Sequence, residues 1–226
     1  MEETRTYEEL RVGFTAAVSH ELRTPLARLL ALLESASLPG ADGDALLAQA
    51  REQVEEMSEL VDDVLFLSEL ESGREVVALG STAALPVLED VRDRLADSAE
   101  RADVTIRIEA DEEVELPLRR RMLQIVAENL AENSIRYAGP GSTLTLSARA
   151  GVLAAADDGR GVEEDELARL FERFYRSDRA RASRGTGLGL AIVKHVVVAA
   201  GGEVEATGGP GHGFTVRCVF STSAPG

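Results

Sequence analysis

Apolar residues step by three and four through the amino-terminal part of the chain and by two through much of the remainder, so the chain opens helical and continues as mixed helix and strand. Phe14, Val18, Leu22, Leu29 and Leu33 mark one buried stripe on a first helix predicted from about Thr6 to Ser35. The turn formers Ser37-Leu38-Pro39-Gly40-Ala41-Asp42-Gly43 end it. On a second helix Leu47, Ala50, Val54, Met57, Val61, Val64 and Ser68 step alternately by three and four, which is a heptad repeat. Two helices and a short loop predict an antiparallel hairpin, yet a single hairpin has too few neighbours to cover both stripes. Two copies paired into a four-helix bundle do cover them, so a homodimer is expected. Ser72-Gly73-Arg74 ends the second helix, and the stretch to Gly80 reads as an interdomain linker.

Past the linker, Leu85 to Ala102 reads as helix, Val104 to Ala110 as strand and Arg119 to Tyr137 as helix. Leu144, Leu146 and Ala148 alternate in a strand whose hairpin partner is the apolar run from Val152 to Ala156. A helix from about Gly187 to Ala199 and strands around Val204 and Val216 complete the pattern. The alternation predicts antiparallel strands, with helices covering one face of the sheet.

A length of 226 residues fits two modest domains. With 40 acidic against 24 basic residues and a formal charge of −16, the composition argues against nucleic-acid binding and for a basic or metal-bridged partner. The single cysteine, Cys218, excludes an intrachain disulfide framework, and its place among the alternating Phe214, Val216 and Phe220 predicts burial in a strand. There is no apolar run of membrane-spanning length, and Met1-Glu2-Glu3 does not open a signal peptide, so the chain is expected to be cytosolic and soluble.

Chemistry concentrates in a few places. His20 lies about 200° around the first helix from both Val18 and Leu22, so its imidazole points away from the stripe, beside Glu21 in sequence. Pro25 has no N–H for the Glu21 carbonyl and should kink the helix one turn later. On these residues alone, a phosphoryl acceptor and a plain surface histidine on a bent helix stand level. Asn129 and Asn133 share a helix face, so both amide oxygens could reach one hard cation, and Arg136 and Tyr137 follow as a cation for phosphate and a ring for a base. Asp157-Asp158-Gly159-Arg160-Gly161 puts a carboxylate at a strand end, able to accept from the exocyclic amine of adenine, ahead of two glycines that permit close approach to the backbone. Gly185-Thr186-Gly187-Leu188-Gly189-Leu190 opens a helix as phosphate-binding loops do, but it lacks the features of a dinucleotide fingerprint or a Walker loop. Between the two glycine clusters, Leu170 to Arg176 is aromatic and basic, with Arg179, Arg181 and Arg184 beyond it, and reads as a lid over a triphosphate.

In this order the clusters resemble the catalytic core of a bacterial sensor histidine kinase of two-component systems. The H box matches Ser19 to Leu26, the N box Asn129 to Tyr137, the G1 box Asp157 to Gly161, the F box Phe171 to Phe174 and the G2 box Gly185 to Leu190. The resemblance implies an α+β chain: an antiparallel helical hairpin at 1–75 forming a dimeric four-helix bundle, a linker at 76–80, and an α/β sandwich ATP-binding domain of Bergerat (GHKL) type at 81–226. It implies His20 as phosphoacceptor and Glu21 as its general base. Asn133 and Asn129 become magnesium ligands and Asp157 the adenine contact. Arg136, which stands where the family usually has lysine, joins Tyr137, Gly159, Gly161, Phe171, Arg176, Gly185, Thr186, Gly187, Leu188 and Gly189 around the nucleotide. The implied cofactors are ATP and Mg2+, and the implied partners are a cognate response regulator and a second copy of the chain. Thr24, one turn beyond His20, is linked in similar sequences to removal of phosphate from the regulator, although it is equally suited to bonding a carbonyl beside Pro25. No sensor domain precedes Phe14, so membrane attachment is expected only through a missing amino-terminal sensor region of a parent protein.

The match departs from the family at Arg119, where a capping aspartate is common, and at Ala154-Ala155-Ala156, whose small side chains suggest a loosely packed sheet edge. His195 and His212 fall outside the H box and are read as structural or solvated. The same ATP-binding fold serves chaperone and DNA-mismatch ATPases and anti-sigma serine kinases, which lack an upstream hairpin bearing His20. A non-catalytic dimeric scaffold gated by nucleotide is the other alternative.

Overall fold

The computed structural model describes residues 2–72, 80–177 and 185–220, with side chains from residue 16 onward. It forms two compact units, one built on the first two helices and one on a sheet.

In the first unit α1 spans Glu2–Ala36 and α2 spans Gly43–Glu71, forming a helical hairpin. Gly40 turns the chain at φ +82°, and the Asp42 carboxylate accepts the backbone N–H of Ala45 at 3.1 Å. That bond satisfies one of the donors that every helix start leaves free. Helix α1 runs on through Pro25, whose ring is buried. The heptad positions of α2 divide into two sets. Ala50, Met57 and Val64 are half-buried, whereas Leu47, Val54 and Val61 remain 57%, 50% and 43% exposed. On α1, Leu22 and Leu29 are half-buried, but Leu33 is exposed together with Leu26 and Leu30. One hairpin thus covers half of the predicted seam. Phe14 lies before the first described side chain, and most of the predicted linker falls on residues 73–79, outside the described residues. Among the described residues, no helix is long and apolar enough to cross a membrane.

The second unit runs β1 (Thr82–Ala83), α3 (Ala84–Ala102), β2 (Val104–Ala110), β3 (Glu115–Leu116), α4 (Arg120–Tyr137), β4 (Ser142–Arg149), β5 (Val152–Asp157), α5 (Glu164–Leu167), α6 (Gly189–Ala199), β6 (Glu203–Gly208) and β7 (Phe214–Val219). Five strands form one sheet in the order β2-β4-β5-β7-β6, and β1 pairs with β3. Ser142, Leu144, Leu146 and Ala148 of β4, Leu153 and Ala155 of β5, and Val216 and Cys218 of β7 are buried, while the residues between them are more exposed. Helices α3, α4 and α6 pack on the sheet and on one another. Fully buried Leu88, Leu123, Leu130, Leu144, Leu146, Leu153 and Ile192 fill the interior. Each such side chain contributes about 1.5–3 kcal/mol by leaving water.

Two expectations are corrected. Strands β2 and β4 pair in parallel, Val104 opposite Ser142 through Ala110 opposite Ala148, while the other pairs of the large sheet are antiparallel. Helix α4 lies between β2 and β4 in sequence, and a crossover helix returns the chain in its original direction. Period-two patterning reports the buried face and is blind to strand direction. The alanine run belongs to the central strand of the sheet, for β5 is paired with β4 on one side and β7 on the other. Small side chains reduce packing on a face but do not decide which backbones arrive alongside. Helix α4 does begin without a side-chain cap at Arg119, in line with the sequence.

Candidate functional site

Two periodicities converge in the second unit. The buried stripe of α4 runs through Met122, Leu123, Val126, Ala127, Leu130 and Ala131 and ends at Ser134, which is 3% exposed. The buried positions of β5, Leu153 and Ala155, lead at the next step of two to Asp157, 9% exposed. Asp157 therefore projects from the strand end to the helix-covered side. Ser134 Oγ donates to Asp157 Oδ2 at 3.0 Å and the Gly159 N–H donates to Oδ1 at 3.0 Å. Burial pushes the Asp157 pKa above its ordinary 3.8, against the hydrogen bonds from Gly159, Ser134 and the Phe214 backbone, with the neighbouring charge of Asp158 adding to the rise. Asp158 meanwhile ties the two strand ends together, accepting the Thr143 N–H through Oδ1 at 2.6 Å.

Sequence reasoning missed Ser134. The signal was available, since a hydroxyl follows Asn133 at the point where the apolar stripe of α4 would continue. A Cβ on Gly159 would lie 2.4 Å from the Ala138 carbonyl oxygen, and one on Gly161, at φ +69°, would lie 1.9 Å from that of Gly209. At both glycines protein backbone comes close in the loop after β5.

Asn129 and Asn133 lie on the half-buried flank of α4. The Asn129 Nδ2 donates to the Ile125 carbonyl at 2.8 Å, and its Oδ1 lies beside Gly189, the first residue of α6. Leu188 is buried as the residue preceding α6, and Gly187 accepts the Phe174 N–H through its carbonyl at 3.0 Å. Phe174 itself sits at φ +61°, a conformation costing about 1–3 kcal/mol in a non-glycine residue. The F-box turn is thereby fastened to the start of α6. Tyr137, Phe171 and Arg176 are half-buried and Arg136 is exposed at the end of α4. Gly185 is buried and Thr186 half-buried, whereas Arg179, Arg181 and Arg184 lie outside the described residues.

On α1, His20 and Thr24 are exposed and Glu21 is half-buried. His20 and Thr24 line one shallow recess with Arg23, Ala27, Arg28 and Ala31. The other histidines behave differently. His195 on α6 is half-buried, its pKa lowered by burial first and by the Arg173 charge second, and His212 is an exposed loop residue.

The chain thus carries an exposed histidine on a helical hairpin and, in its second unit, a buried carboxylate at a strand end of a helix-covered mixed sheet. Residues 10–73 match the family described as the His Kinase A (phospho-acceptor) domain, and residues 118–224 match the Histidine kinase-, DNA gyrase B-, and HSP90-like ATPase. The sensor-like histidine kinase SenX3 of Mycobacterium tuberculosis is 33% identical over 218 residues, 92% of this chain and 53% of the relative. The phosphate regulon sensor protein PhoR of Pseudomonas aeruginosa is 35% identical over 225 residues, 95% of this chain and 51% of the relative. Histidine kinase AdeS of Acinetobacter baumannii superposes with a TM-score of 0.73 at 26% identity, over 90% of this chain and 98% of that one. The chain belongs to the two-component sensor histidine kinases and holds their catalytic core. It spans about half the length of the two curated relatives.

Proposed function

We propose that this chain phosphorylates its own His20 from magnesium-ATP and passes the phosphoryl group to an aspartate of a response regulator. The observation that carries the reading is the buried Asp157 carboxylate, supplied with donors at a strand end, in a chain that displays an exposed imidazole on α1. Asp157 is an acceptor suited to the exocyclic amine of adenine, and Arg136 offers a charge for the phosphates. Among the described residues no group of three His, Cys, Asp or Glu side chains is placed to hold a metal. The amide oxygens of Asn129 and Asn133 fit a hard cation that completes its shell with phosphate oxygens and water, and magnesium so held would neutralise charge building on the phosphates. Asn133 and Asn129 are its proposed ligands.

In the reaction an imidazole nitrogen of His20 attacks the γ-phosphorus in line. The phosphorus–nitrogen bond forms as the bond from the γ-phosphorus to the bridging oxygen breaks, and ADP leaves with that oxygen. Glu21, the next residue, takes the imidazole proton as general base. Exposure of His20 and the recess beside it supports transfer onward to a protein aspartate. Its position beside His20 in the same recess supports Thr24 as the residue that orients a water for the reverse removal of phosphate from the regulator. The exposed Leu47, Val54 and Val61 seam supports a homodimer in which a second hairpin covers it. The phospho-acceptor hairpin is assigned to residues 1–75 and the ATP-binding domain to 81–226.

The test is incubation of purified chain with magnesium and γ-labelled ATP. An acid-labile, alkali-stable phosphate should form, and His20→Gln should lose it while still binding nucleotide. Retained labelling in His20→Gln would refute the assignment.

A further inference from the structure

We infer that Ser134 is the positioning residue for adenine recognition, holding the Asp157 carboxylate in the orientation that accepts from the base. The inference rests on the nucleotide site proposed above and adds to it a residue that never touches the phosphates.

Asp157 is almost closed off from water, and an acceptor-only carboxylate in such a place needs donors on its oxygens. Its cross-strand partner on β7 is Phe214, so the sheet supplies backbone N–H but no side-chain hydroxyl there. The Gly159 N–H takes Oδ1. The Phe214 N–H also donates to the carboxylate, and Oδ2 takes its side-chain donor from the helix layer, the Ser134 hydroxyl at 3.0 Å. Ser134 is a costly residue at this position for any purpose except a hydrogen bond. It continues the apolar stripe of α4 after Leu130 and Ala131, is 3% exposed, and replaces by a hydroxyl what alanine would fill without desolvation. With a fixed donor on each oxygen, the carboxylate plane is pinned and its remaining lone pairs are aimed. A 6-amino purine donates to such a group, whereas a 6-oxo purine presents a carbonyl oxygen and is repelled. Discrimination between adenine and guanine nucleotides thus depends on Ser134 acting through Asp157.

The experiment is calorimetric titration of the full chain and of Ser134→Ala with ADP and with GDP, each with magnesium and in EDTA, alongside thermal melts. Loss of a hydrogen bond to a charged group predicts about tenfold weaker ADP binding in Ser134→Ala. GDP binding should change less than twofold, so the ADP-to-GDP preference should fall by nearly the same factor. The ADP loss should be equal with magnesium and in EDTA, because the adenine end is affected and not the neighbouring Asn133. Equal losses for ADP and GDP, or a loss seen only with magnesium, would overturn the inference and make Ser134 a packing residue of α4. Unchanged ADP affinity would overturn it as well. Wild-type chain that binds neither nucleotide would instead overturn the ATP site itself, and this inference with it. Should Ser134→Ala melt early, Ser134→Cys, which keeps a weaker donor on a slightly larger side chain, should give the same selectivity loss in smaller measure.

Discussion

Substituting Gly189 by alanine should separate nucleotide affinity from stability. An ideal Cβ at this position would stand 2.7 Å from the Asn129 Oδ1, where ordinary contact begins near 3.4 Å, so the two groups must part by about 0.7 Å. Asn129 has little freedom to yield, because its Nδ2 is bonded to the Ile125 carbonyl at 2.8 Å. Swinging the amide aside sacrifices that bond, about 1 kcal/mol, or forces a side-chain torsion off its well at about 0.5–1.5 kcal/mol. Either route, costing about 0.5–1.5 kcal/mol, corresponds to roughly twofold to twelvefold weaker binding of magnesium-ADP. Stability moves little, since alanine is a better helix former than glycine by up to about 1 kcal/mol and α6 begins at this residue. Calorimetry with magnesium-ADP, repeated in EDTA, checks the reasoning. The loss should appear with magnesium and largely vanish without it, because the Asp157 end of the site is untouched. Magnesium-ADP affinity within twofold of wild type would mean that Asn129 neither yields nor takes part.

The same geometry sets three further expectations. Thr24→Ala should leave labelling of His20 nearly normal while slowing ADP-stimulated dephosphorylation of the cognate regulator about fivefold, the value of one neutral hydrogen bond of about 1 kcal/mol; equal loss of both activities would assign Thr24 to the helix beside Pro25. Burial raises the Asp157 pKa above 3.8, so the folded chain holds that proton longer than the unfolded one, and this group's stability contribution is complete below 3.8 and lost as pH climbs through the raised value. Adenine binding needs the carboxylate, so ADP affinity should run the opposite way, weakening as pH falls through that window, and Asp157→Asn should flatten this acid limb. Burial also pushes the Cys218 thiol up to about 12, so a disulfide reagent at pH 8 should label native protein no faster than it unfolds, and rapid labelling in buffer would contradict the placement of β7.

Much of the architecture was legible because local periodicity reports burial directly. Steps of three and four marked α2 and α4, alternation marked β4 and β7, and both assign each residue a face without knowledge of its neighbour. The exposure of His20 and the burial of Cys218 came from the same counting. Tertiary structure decided whatever depends on which element lies alongside another. Strand direction in the β2–β4 pair and the central place of β5 rest on chain paths that no window of sequence contains. The clearest case is Ser134, 23 residues ahead of Asp157: the sequence shows a helix stripe ending in a hydroxyl and a strand alternation ending in a carboxylate. Only packing α4 on β5 brings the two ends within 3.0 Å, because a hydrogen bond is a property of two elements and periodicity describes one at a time.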